Sequence, residues 1–170
     1  MTMTQIRHEN TTDYDAVRHI NEAAFESPAE AGLVDALRDQ CETVISLVAE
    51  KDDQLVGHIL FSPVTLPGHR NLQLMGLAPM AVLPEFQRQR IGSDLATAGL
   101  EQCRAAGIDA VVVLGHPEYY PKFGFVPASR FKIGCEYDVP DEVFMMIEVK
   151  SGALEGCWGT VNYHSAFADL

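Results

Sequence analysis

Between residues 72 and 114 the chain reads as an apolar strand, a helix and a second apolar strand, and this order restricts the fold more than any other feature. Residues 72–82, Leu-Gln-Leu-Met-Gly-Leu-Ala-Pro-Met-Ala-Val, form the first strand. From Gly92 to about Ala106 the spacing predicts a helix, with Ile91, Leu95, Ala98, Gly99, Cys103 and Ala106 in one apolar arc. Gly107 stands where helices commonly end. Asp109-Ala-Val-Val-Val-Leu114 is short and continuously apolar, as a central strand is. Strands joined by a crossover helix lie parallel, so the chain is an α/β fold whose sheet is at least partly parallel.

The joint of that unit carries the first chemical signal. Pro84 opens a turn, Arg88 and Arg90 lie two apart, and Gly92 and Ser93 fall in the first helical turn. Early helix N–H groups have no partner inside the helix, and the helix dipole adds partial positive charge there. Gly92 lacks a Cβ, so a bulky anion can approach the main chain. Two guanidiniums beside such a nest suit a diphosphate, although solvated arginines at a helix start give the same spacing. Upstream, Pro79 cannot donate to a ladder, which implies a bulge or a place where strands part. The main-chain groups freed near Met80, Ala81 and Val82 are then available to an amide-containing ligand.

The flanking segments fill in the rest of the fold. Residues 4–8 predict a first strand, and Thr12 or Asp13 caps a helix carrying Val17, Ile20, Ala24 and Phe25. Pro28 suits the first position of a second helix with Ala31, Val34 and Leu37 on one face. The two helices border a pocket with Glu22, Glu26 and Glu30 near its rim, or these glutamates simply form solvated faces. Residues 44–50 and 54–61 read as a hairpin about residues 51–53. His58 in its second strand is expected to be a hydrogen-bonded core residue. Residues 143–149 predict the last strand, with methionines filling core space. The tail, with Trp158, Val161, Tyr163 and Phe167, is too aromatic for disorder and is expected to fold back on the sheet and wall one side of a ligand pocket. His164 in it is read as structural.

Charge and cysteine usage narrow the function classes. Twenty-four acidic against twelve basic residues give a net charge of −12, which argues against nucleic acid and anionic membrane as partners and leans towards cationic ligands. Cys41, Cys103, Cys135 and Cys157 show neither CxxC nor CxxH spacing, so they are read as reduced core thiols and no metal is expected. No signal peptide and no apolar run of about 18 residues is present, so a cytoplasmic protein is expected. A G-x-x-x-x-G-K-[ST] nucleotide loop is absent.

Two motifs resemble one family. Gln87-Arg-Gln-Arg-Ile-Gly92, followed by Ser93, resembles the Q/R-x-x-G-x-G/A motif of the GNAT superfamily of N-acetyltransferases, with Arg90 in place of its first glycine. Tyr120-Pro-Lys-Phe-Gly-Phe125 looks like the family's Y-x-K-x-G-F segment. With Gly115-His-Pro and Cys135-Glu-Tyr-Asp-Val-Pro-Asp-Glu142 it resembles the YhbS-like subgroup. The resemblance implies a mixed, mostly antiparallel sheet with splayed central strands flanked by helices. It implies one domain over residues 1–170, with the core at about 3–150 and residues 151–170 packing on the sheet. It further implies acetyl-CoA as co-substrate, its pyrophosphate on Gln87, Arg88, Gln89, Arg90, Ile91, Gly92 and Ser93 and its pantetheine arm on Met80, Ala81 and Val82. A small-molecule or peptide amine is the implied acceptor, a homodimer is open, and a non-catalytic acyl-CoA-binding module is the alternative.

The chemistry sets its own demands. An amine with a pKa of ~10.4 is only about 0.04% neutral at pH 7, so a base, a water chain or a less basic amine is required. The departing thiolate needs a proton, and Tyr120 matches the family's tyrosine as general acid. Tyr119 is expected to pack or to line the pocket. No carboxylate or histidine lies on residues 72–82, which leaves His116 as the candidate base, with capping of its loop an equal reading and Glu118 a weaker choice.

Overall fold

The computed structural model describes residues 4–169. Strands β1 (Gln5–His8), β2 (Ile45–Lys51), β3 (Gln54–Val64), β4 (Leu74–Val82), β5 (Ala110–Leu114), β6 (Val126–Pro127) and β8 (Phe144–Glu148) form one sheet in the order β1-β2-β3-β4-β5-β8-β6. Every neighbouring pair is antiparallel except β4–β5. Helices are α1 (Tyr14–Phe25), α2 (Ala29–Gln40) and α3 (Ile91–Ala105). The β4–α3–β5 crossover is therefore the parallel unit that the apolar pattern predicts, set in an otherwise antiparallel sheet.

The β2–β3 hairpin closes on Asp52 and Asp53, both left-handed with φ 53° and 62°, between the paired Lys51 and Gln54. A two-residue turn of this hand matches the twist of the strands it joins, and aspartate tolerates the conformation. Alternate residues of β3 then serve two layers. Ile59 and Phe61 pack with Ile91 and Leu95 of α3, while Leu60 packs with Val17 of α1 and Leu37 of α2. The approach of α3 is close: a Cβ on Gly99 would lie 2.2 Å from Phe61 Cε1.

Local signals were partly misplaced. Asp13 is the N-cap residue of α1, as expected, but its side chain makes no capping bond there; it accepts from Asn10 N, while the Asn10 side chain accepts from Thr12 N, a capping box at the short 3-10 turn that feeds α1. Pro28 sits one residue before α2, and Ser27 Oγ accepts from Ala29 N. A second, two-stranded parallel sheet joins β7 (Ile133–Cys135), which precedes β8, to β9 (Gly159–Val161), which follows it. Val161 and Tyr163 pack with Leu74, Val112 and Met146, whereas Trp158 is 67% exposed. All four cysteines are free, but only Cys103 is a core thiol; the others are half-buried.

His58 is fully buried. Asn21 Nδ2 donates to its Nδ1 at 3.2 Å, which leaves Nε2–H to donate to Ser46 Oγ at 2.9 Å. Glu9 Oε2 lies 4.0 Å from Nε2, but that carboxylate is engaged by Arg38, whose Nε donates to Oε1 at 3.0 Å. Burial first, and the Arg38 charge second, lower the imidazole pKa to about 3. The ring is thus neutral in the fold and protonates near 6.5 once unfolded, so stability present above pH 6.5 is lost as the pH falls towards 3. Urea unfolding at pH 5 and pH 8 is expected to show about 2 kcal/mol lost through this group, and His58→Gln is expected to remove that portion.

Candidate active site

Strand β4 creates the site by leaving its neighbour. It pairs with β5 only at Leu74–Ala110, Met75–Val111 and Gly76–Val112. Beyond them Ala78 and Pro79 lie opposite the single Leu60 of β3, a bulge between the pairs Ile59–Met80 and Phe61–Leu77. Proline brings no N–H to either edge, so a bulge is the structure it permits in mid-sheet. Past the bulge, Ala78, Met80 and Val82 are half-buried and alternate with the buried Pro79 and Ala81.

Two cavities flank this segment. One, of about 430 Å³, is lined by Met80, Val82, Phe86, Gln87, Arg88, Arg90, Ile91, Gly92, Ser93, Tyr119 and Lys122. The chain enters α3 with Arg88 at φ 65° and Arg90 at φ 70°, both left-handed. No side chain caps α3, so the first-turn N–H groups face this cavity without a side-chain acceptor. Gly92 faces the phenol of Tyr119: a Cβ there would meet its oxygen at 3.2 Å. Gln87 Nε2 braces the turn by donating to Val82 O at 3.0 Å. Two expected residues stand apart from the cavity: Ala81 is buried in the core, and Gln89 Oε1 accepts instead from Lys51 Nζ at 2.8 Å. Lys122 was not anticipated; its Nζ lies 3.9 Å from the ring centroid of Tyr119, a stack that three-residue spacing in a helical turn makes possible.

The other cavity, of about 460 Å³, is lined by Phe25, Glu30, Leu33, residues 77–80, Leu114, Gly115, His116, Tyr119 and Tyr120. Tyr119 and Met80 border both cavities and divide them. Tyr119 is fixed by a 3.1 Å hydrogen bond between its hydroxyl and Ser93 Oγ and by edge contacts with Tyr120 and Phe123. The backbone carbonyl of His116 accepts from Tyr119 N at 3.1 Å and Tyr120 N at 3.3 Å, while its side chain stays exposed at the cavity. The short turn Tyr120–Phe123 ends at Gly124, φ 104°. Tyr120 is buried against Phe125, and burial, helped by Tyr119, raises its phenol pKa to about 12. Gly115 makes room for it: a Cβ would fall 2.3 Å from the Tyr120 ring. Among the described residues none of the tail lines this cavity; Ser165 and Ala166 border a separate one beside α2. Among the described residues no His, Cys, Asp or Glu cluster is arranged to hold a metal ion.

A site of this form has an anion nest at one end, a half-open apolar cavity at the other, and a buried phenol between strands that part. Comparison with known proteins gives it a context. Residues 5–128 match the family model described as an acetyltransferase (GNAT) domain. The chain is 36% identical over 163 residues to the N-acetyltransferase YhbS of Escherichia coli K12, covering 95% of this chain and 97% of that protein. It is 38% identical over 135 residues to the N-acetyltransferase YjhQ of the same strain, covering 77% of this chain and 75% of that one. The crystal structure of Escherichia coli YhbS in complex with CoA superposes with a TM-score of 0.93 at 35% identity, over 99% of this chain and 93% of that one. A GNAT acetyltransferase from Brucella melitensis in complex with acetyl-CoA gives 0.79 at 36% identity, over 97% and 98%.

Glycine adopts the left-handed region without the penalty a side chain incurs there, roughly 1 kcal/mol. Arg90→Gly is therefore expected to raise the stability of the chain by up to about 1 kcal/mol in urea unfolding, even though it removes a charge from the cavity.

Proposed function

The chain belongs to the GNAT family of N-acetyltransferases, and we propose that its two cavities hold the two partners of one reaction, acetyl-CoA and a primary amine. The observation that carries this reading is the parting of β4 from β5 with an uncapped helix N-terminus and three cations at one end of the gap. Backbone N–H groups of α3, with Arg88, Arg90 and Lys122, fit a diphosphate in charge and in reach. The half-buried groups of Met80 and Val82 suit an amide-bearing arm laid along β4, and this assignment narrows the expected set by leaving out Ala81 and Gln89. The two related structures hold CoA and acetyl-CoA, which supports acetyl-CoA as the co-substrate.

In the reaction the amine nitrogen forms a bond to the thioester carbonyl carbon as the carbon–sulfur bond breaks. We assign Tyr120 to the sulfur side. With its pKa at about 12 the phenol stays protonated throughout the working range and donates its O–H to the sulfur as negative charge develops. A phenol at about 12 is a weaker acid than a thiol near 8.5, so hydrogen-bond donation precedes proton delivery, which completes as the amine gives up its own proton. We assign His116, exposed on the acceptor cavity, to receive that proton and to return it through solvent to the Tyr120 phenolate, so that the net transfer is one proton from the amine to the sulfur.

Tyr120→Phe tests this reading. It is expected to lower the rate of amine-dependent CoA release about 100-fold. Calorimetric titration should find the acetyl-CoA affinity within threefold of wild type, and no alkaline fall in rate assignable to Tyr120 is expected below pH 10. Wild-type protein that fails to bind acetyl-CoA, or that releases CoA no faster with amines than without, sinks the reading and leaves a non-catalytic module of the same fold.

A further inference from the structure

We infer that the acceptor is a singly charged amine carried on a compact apolar body, and that Glu30 is the residue that selects it. The inference rests on the acetyltransferase reading and specifies its second substrate.

The acceptor cavity is apolar on most of its walls. Phe25 from the end of α1, Leu33 from α2, Leu77 from β4 and Leu114 from the end of β5 converge on it. Phe25 and Leu114 are 38% and 37% exposed, among the few large apolar side chains left open to solvent in the described chain. Apolar surface left exposed and gathered around one cavity marks a place where an apolar ligand is buried.

A single carboxylate enters this setting. Of the glutamates near the α1–α2 junction, only Glu30 lines the cavity; Glu22 and Glu26 do not. Glu30 is half-buried. Among the described residues the other shielded carboxylates all have partners: Arg7 holds Asp13 and lies beside Glu50, Arg38 holds Glu9 and Asp35, and Asp109 and Glu148 accept from Gln73 N and Leu154 N. Glu30, among the described residues, has neither an ion pair nor a hydrogen bond to its side chain. A carboxylate partly withdrawn from water beside apolar walls is stabilised by a cation that arrives with the ligand. One carboxylate matches one ammonium. Polyamines and aminoglycosides bring several charges or many hydroxyls, and the walls formed by Phe25, Leu33, Leu77 and Leu114 offer these groups no partners.

The pairing also has a kinetic meaning. The ammonium must lose a proton before it attacks, so a carboxylate that holds the charged form contributes to binding more than to the chemical step. Its removal should appear in KM rather than in kcat.

The test measures CoA release from acetyl-CoA with 2-phenylethylamine, n-hexylamine, spermidine and kanamycin. The proteins are wild type, Glu30→Gln and, as a control for the general acidic field, Glu22→Gln. For wild type, kcat/KM is expected to be at least fivefold higher for the two apolar monoamines than for spermidine or kanamycin. Glu30→Gln is expected to raise KM for 2-phenylethylamine at least fivefold with kcat within twofold, and Glu22→Gln to leave both constants within twofold. A smaller preference, a smaller change in KM, or an equal change in Glu22→Gln overturns the assignment.

Calorimetric titration with acetyl-CoA, and separately with 2-phenylethylamine, distinguishes the two readings. Turnover with the opposite order of amines removes the acceptor assignment alone. Failure to bind acetyl-CoA removes the acetyltransferase reading, and 2-phenylethylamine binding then decides the pocket: Glu30-dependent binding upholds its chemistry, and its absence overturns it.

Discussion

The parallel contact between β4 and β5 lasts for three residue pairs, and the site follows from where it stops. Up to Gly76 the two strands share a ladder, under which the apolar core is continuous. At Ala78 and Pro79 the missing N–H and the bulge against Leu60 turn β4 away, while β5 goes on pairing with β8 on its other side as far as Leu114. The wedge between them is bounded by strands that stay paired on their other sides, β4 with β3 on both sides of the bulge and β5 with β8. The helix that must cross from β4 to β5 starts beside the wedge because the turn between them is short, and its unpaired N–H groups are aimed into the same space.

Electrostatics reinforce this geometry in a chain with twice as many acidic as basic residues. Arg7, Arg18, Arg38 and Arg104 are spent on neighbouring carboxylates. Arg88, Arg90 and Lys122 instead meet at one cavity, where they form a positive island. Left-handed backbone at Arg88 and Arg90 is the local cost of presenting two guanidiniums from so tight a turn. Tyr119 ties this island to the acceptor side, since its ring carries Lys122, its hydroxyl meets Ser93, and its body forms the wall between the cavities.

Much of this was legible in the sequence where the signal is local. Pro79 announced the bulge, Gly107 ended α3, and the apolar run at residues 110–114 marked the central strand, because each acts through its own φ, its own N–H or its own burial. What depends on distant partners was not legible. The insertion of β8 between β5 and β6, and the pairing of β7 with β9, depend on partners far along the chain, and β6, β7 and β9 are segments of two or three residues, too short to carry a periodicity. The same holds within the site. Glu30 looked like one of three equivalent rim glutamates, and only the meeting of α2 with β4 and β5 distinguishes it. Gln89 sits in a motif but turns to Lys51, a residue of the hairpin that no linear pattern connects to it.

The wedge has one more property. Beyond Gly76, β4 presents to β5 a strand edge with no partner, the kind of surface on which stray chains add and aggregates begin. Proteins usually guard such edges with charge or by keeping them short. Here the guard is confinement: the unpaired stretch lies within a wedge whose far wall, β5, is already bonded to β8. The sheet thus keeps an unused row of hydrogen-bonding groups on offer without the sticky exterior that such a row normally brings.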